Sequence, residues 1–147
     1  MRYSVLFSIL LCVFFTACNK DKFSATPSLK FKSVSTRVLP PGQLIQFTLA
    51  FTDAEGDLSD SIFVEKNEPT CTLSNVPFYQ LIPSFPTSSN EKGDIVVTFG
   101  NNASTSYPNI SAQCQRNDTA VFRFAIKDKA NHLSDTVSSP PIIIIYQ

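Results

Sequence analysis

The sequence predicts an all-β domain built as a single two-sheet antiparallel sandwich. Apolar residues recur at period 2 in Ile45, Phe47, Leu49 and Phe51, and again in Phe122, Phe124 and Ile126. That period sends every second side chain to one face of a strand. Pro, Asn and Asp punctuate these runs, and no stretch sustains the 3.6-residue spacing of an amphipathic helix.

Residues 1–17 precede this pattern and are of another kind. Met1, Arg2 and Tyr3 lead into an apolar run from Val5 to Phe15, broken only by Ser8. The run has the length of a signal-peptide core and falls short of the ~20 residues that a spanning helix needs. It ends in Phe15-Thr16-Ala17-Cys18, which resembles the lipobox of bacterial lipoproteins. The resemblance implies cleavage before Cys18 and acylation of that cysteine, palmitate included, so that the chain is held at a membrane by its lipid anchor. The alternative is a general secretory peptide cut after Ala17, leaving Cys18 a free thiol. The following Asn19-Lys20-Asp21-Lys22 resembles a short lysine-plus-acid signal that sends lipoproteins outward. The expected location is therefore the cell envelope, at the outer membrane, in either leaflet. Ser24, Thr26 and Pro27 make 18–27 a short polar tether, and the domain is expected over 28–147.

Within that domain strands are expected at 28–38, 43–52, 60–66, 94–100, 119–128 and 133–146, with further strands near 78–82 and 111–115. Leu29 with Phe31, and Ile62 with Val64, add to the inward face set by the two longer alternations. The segment 67–92 carries Pro69, Pro77, Pro83 and Pro86 and is expected to be a long loop with one edge strand. The last strand should bend at Ser139-Pro140-Pro141, because proline cannot donate to a ladder. Seven or eight short strands between turn signals suggest an Ig-like, or fibronectin III-like, sandwich.

Removing residues 1–17 takes away Arg2 alone among the charged residues, leaving 11 basic and 12 acidic residues and a net charge of −1. Nothing in that balance favours nucleic acid. Of the four cysteines, Cys12 leaves with the signal peptide and Cys18 takes lipid, so Cys71 and Cys114 remain in an oxidising compartment. A disulfide between them is expected; the alternative is two separate buried thiols. Two cysteines and a single histidine, His132, do not make a zinc site.

Two turns are acidic: Asp53-Ala54-Glu55-Gly56-Asp57-Leu58 and Asp128-Lys129-Ala130-Asn131-His132. Over residues 43–137 the chain here resembles the Ig-like, cadherin-like and PKD-like modules of bacterial surface proteins. In an Ig-like sandwich these two loops lie at the same end, so Asp53, Glu55, Asp57, Asp128 and Asn131 would converge as hard oxygen ligands suited to calcium. The competing reading is that Asp, Asn and Gly are what turns require. Val64 stands where an EF-hand would need its bidentate Glu, which excludes that motif.

Neither a nucleophile elbow nor a serine in a marked turn accompanies His132, so no enzymatic activity is expected. Phe78, Tyr79, Phe85 and Tyr107 lie in or beside proline-rich segments. There aromatics either form a sugar or peptide platform or pin a long loop by packing. Ser61, Thr119 and Thr136 each follow Asp and precede an apolar residue, which resembles the O-glycosylation sequon of exported proteins in some Gram-negative bacteria. The same pattern is also how a strand starts after a turn. Taken together, these features predict a cell-envelope lipoprotein with one Ig-like binding or structural module, whose partner is an envelope protein or glycan. The alternative is an accessory carbohydrate- or peptide-binding lipoprotein of a nutrient-uptake system.

Overall fold

The computed structural model describes residues 23–82 and 88–147. Cys18 and Phe85, with the signal segment and the start of the tether, lie outside the described residues. Within them the chain is all-β, with one 3-10 turn at Thr72–Ser74 and no helix long and apolar enough to cross a membrane.

Among the described residues nine strands run in chain order: β1 Ser28–Val34, β2 Val38–Leu39, β3 Leu44–Asp53, β4 Leu58–Asn67, β5 Val76–Leu81, β6 Glu91–Gly100, β7 Asp118–Asp128, β8 Val137–Ser138 and β9 Ile142–Ile144. They form two sheets that do not close on one another. One has the order β1-β3-β6; the other has the order β2-β9-β7-β4-β5, with β8 also on β7. All pairings are antiparallel except β2 with β9, which is parallel.

The longest predicted alternation is β3, where Ile45, Phe47, Leu49 and Phe51 are buried between the sheets. From the facing sheet, Ile62 and Val64 of β4 and Phe122, Phe124 and Ile126 of β7 meet them. Phe47 is the centre of this core. Its ring lies 4.8 Å from Phe122, 5.3 Å from Phe124 and 6.3 Å from Phe99.

Three expected elements differ from what is observed. The first predicted strand is two, β1 and β2, because the chain leaves the sheet of β3 and joins β9 in the other sheet. The last predicted strand is broken into β8, β9 and a single bridge at Leu133. Pro140 and Pro141 interrupt it, having no N–H to give. Ser134 and Ser139 fill the ladder beside the breaks. Their hydroxyls accept from the Ile126 and Phe122 N–H groups at 3.0 Å each, while their own N–H groups donate to the carbonyls of the same two residues.

The third difference is at 111–115, which is not a strand. There Asn109 Oδ1 accepts from Ser111 N–H and Gln115 has φ 53°, so the backbone follows side-chain turns instead of a ladder. The 67–92 segment does hold an edge strand, β5, six residues long.

Candidate functional site

The two acidic turns meet at one end of the sandwich. β3 ends at Asp53 and β4 begins at Leu58, which pairs with Asp128 at the end of β7. The first turn is tight because Asp53 Oδ2 accepts the Asp57 N–H at 2.9 Å. Gly56 is obligatory in it: its φ is +65°, and a Cβ there would lie 2.0 Å from the Ser88 carbonyl oxygen.

The second turn docks on the first through Lys129 N–H, which donates to the Asp57 carbonyl at 3.0 Å. Asn131 takes a left-handed conformation, φ 73°, and its N–H donates to the Asp128 carbonyl. Asn131 is thus the residue that turns the chain. One carboxylate oxygen each from Glu55, Asp57 and Asp128 lie within 4.8 Å of one another.

Asp128 is buried, and His132 reaches it from the surface. The His132 N–H donates to Asp128 Oδ1 at 2.7 Å, and Nδ1 lies 2.7 Å from Oδ2. The hydrogen bond to Asp128 and then its charge raise the imidazole pKa above its ordinary value; burial opposes them, and Glu55 and Asp57 add lesser attraction. The sequence placed His132 in a turn and gave it no partner; its position four residues after Asp128 was the available signal.

Asp53 is wholly buried and faces Glu91 across the β3–β6 pair. Burial first, and then the charge of Asp53, push the Glu91 carboxyl above its ordinary pKa. Sequence reasoning passed over Glu91 because it sits where a loop was expected, before the predicted strand start.

The aromatic residues divide. Phe78 turns inward, its ring 5.2 Å from Phe99, so it packs the core. Tyr79 turns outward, 77% exposed, and its ring stands 5.4 Å from Phe63. Phe63 escaped the sequence reading, although period 2 in β4 puts it opposite in sense to Ile62 and Val64. Tyr107 is exposed in the loop after β6.

On the outer face of the larger sheet, a depression of about 370 Å³ is lined by Ser61, Phe63, Tyr79, Lys127, Leu133 and Thr136 among others. Its chemistry is two rings and an aliphatic side chain, with hydroxyls and one ammonium at the margin. Two of the three sequon residues, Ser61 and Thr136, line it, so a glycan on either would cover the rings. Thr119 is elsewhere, exposed on β7.

Cys71 and Cys114 form a disulfide with Cα atoms 6.1 Å apart. It joins the 3-10 turn to the loop before β7. Beside it the fully buried Lys66 ammonium meets Asp118 Oδ2 at 2.7 Å and donates to the Ile110 carbonyl at 3.0 Å.

No family model matches this chain, and no curated protein matches it. Among solved structures, it is similar to the crystal structure of Spo0M, a sporulation control protein from Bacillus subtilis. The identity is 10% and the TM-score 0.47, over 84% of this chain and 51% of that one, so the chain spans about half of that protein's length.

Proposed function

We propose that this chain is a cell-envelope lipoprotein, anchored through lipid on Cys18, whose single Ig-like sandwich binds a partner through the outer face of its larger sheet. The observation that carries the binding role is the exposed Tyr79 ring paired with the half-buried Phe63 beside exposed Leu133. An apolar body with a polar tip on a rigid sheet is what an amphipathic ligand stacks against.

The Ig-like assignment is supported by the strand order. A three-stranded sheet faces a sheet in which the fourth and seventh strands are central neighbours, and the first strand divides between the sheets. The disulfide is not the inter-sheet bridge of antibody domains, since it links two loops. The ring pair favours a carbohydrate or a peptide as ligand, in keeping with an accessory binding protein of a nutrient-uptake system.

The test is an array of envelope glycans and peptides probed with the mature chain, its Tyr79→Ala and Phe63→Ala variants, and thermal melts of all three. Binding that falls at least tenfold in each variant while the melts stay within a few degrees supports the proposal. Binding indifferent to both changes, or none at all, sinks the sheet-face reading. Metabolic labelling with an alkyne fatty acid, lost in Cys18→Ser, tests the anchor separately.

A further inference from the structure

Three carboxylate oxygens at the acidic end are buried and have no hydrogen-bond partner among the described residues: Asp53 Oδ1, Asp57 Oδ1 and Glu91 Oε2. A buried anionic oxygen without a donor or a counter-ion is costly, and folded proteins seldom leave one so. Asp118 Oδ1 is in the same condition, but there Lys66 supplies a positive charge to the other oxygen. At the acidic end the His132 imidazole hydrogen-bonds Asp128 alone, although Glu55 and Asp57 also attract its charge. Asp53, Asp57 and Glu91 take part in no ion pair within the described residues.

Beside them, and sharing Asp57 with them, the Glu55, Asp57 and Asp128 carboxylates have the spacing of a cation site. Ligands on one Ca²⁺ stand about 2.3–2.6 Å from it, hence no more than roughly 5 Å from one another. Glu55, Asp57 and Asp128 meet that condition at 4.8 Å. Asp53 is bonded to the Asp57 N–H and so sits behind the same turn, fully buried, with one oxygen free. Both Asp128 oxygens are occupied by His132, yet each carboxylate oxygen retains a second lone pair. All the donors are oxygens, with no sulfur, which suits a hard cation.

We propose that this end binds Ca²⁺. Glu55, Asp57 and Asp128 are its carboxylate ligands, Asp53 is the buried oxygen behind them, and Glu91 adds charge from β6. Turns made only of good turn formers do not account for the unpartnered oxygens of Asp53 and Glu91, which lie in strands. The site stands whether or not the chain carries lipid.

The experiment is a Ca²⁺ titration of the mature chain by calorimetry, with thermal melts in CaCl₂ and in chelator. Asp57→Asn, Asp53→Asn and Glu91→Gln are run beside it. The expected result is a chelator-reversible rise of several degrees in wild type and at least tenfold weaker binding in Asp57→Asn and Asp53→Asn. Glu91→Gln should weaken binding less. A wild-type melt unchanged by Ca²⁺ overturns the site. So does a Glu91→Gln chain that is stabilised without Ca²⁺ while wild type ignores the ion, since relief of the Asp53–Glu91 repulsion would then account for the pair. An undiminished Ca²⁺ response in Asp57→Asn and Asp53→Asn overturns the ligand assignment.

Discussion

Glu68 shows how a single buried charge is kept ionised here. Its Oε1 accepts from the Thr70 N–H at 2.9 Å and the Thr70 hydroxyl at 2.6 Å, and its Oε2 accepts from the Thr119 N–H. Burial pushes the carboxyl up, but these hydrogen bonds and the nearby Arg116 outweigh it and leave the pKa below the ordinary 4.5. A carboxyl whose pKa is lowered by folding adds stability above its unfolded value and loses it as pH falls through the folded value. Glu68→Gln should therefore destabilise by ~2 kcal/mol at neutral pH. The gap between the two chains should close below pH 4.5, as read by urea melts across pH. The neighbouring Lys66 was legible in principle. It follows Ile62 and Val64 at period 2, so the pattern itself directs a lysine inward. What the pattern lacked was the acceptor, because Asp118 lies 52 residues away.

The same end shows what a covalent link does for irregular elements. The disulfide spans 43 residues and joins segments with few ladder bonds of their own. Gln113 N–H on Ser74 Oγ at 3.1 Å and Arg116 on the Thr70 carbonyl depend on those segments staying together. Replacing Cys71 and Cys114 together with alanine should cost about 4 kcal/mol on the chain-entropy argument. Hydrogen exchange should rise first at 71–75 and 110–117, ahead of β3 and β7. The pairing of the two cysteines was legible from their number together with the oxidising compartment that the sequence led one to expect. The 111–115 strand was misread because Ile110, Ala112 and Cys114 repeat at period 2, which turns held by side chains can mimic over so short a run. The β8 and β9 breaks were half legible: the prolines announced a bend, but nothing local showed that serine hydroxyls would complete the ladder.

Over the whole molecule, the core is a stack of rings between two open sheets. Phe47 touches Phe99, Phe122 and Phe124, so Phe47→Ala removes the shared partner of three rings. A loss of ~4 kcal/mol is expected in chemical denaturation. The inner faces of both sheets were readable from β3 and β7, the two strands long enough for period 2 to be unmistakable. The pairing scheme was not, because the move of the first strand from β3 to β9 depends on segments a hundred residues apart. The acidic turns were found from their residues and brought together by topology. Glu91 and Phe63 were missed because their meaning lies in what stands across from them.

One modest bond gives the domain a direction. The Ala54 N–H in the first acidic turn donates to the carbonyl of Ser24 at 3.1 Å, which pins the incoming chain to that end of the sandwich. Ser24 stands six positions after Cys18, a reach of about 20 Å at full extension. If Cys18 carries lipid, the carboxylates of Glu55, Asp57 and Asp128 therefore look down at the headgroups. The opposite pole, where β3 begins at Leu44 beside Gly100 and Asn101 donates to the Leu39 and Ile145 carbonyls, then points away from the bilayer. A calcium ion held between that acidic underside and anionic phosphates would make the domain a seated pedestal, its upright posture set by the ion.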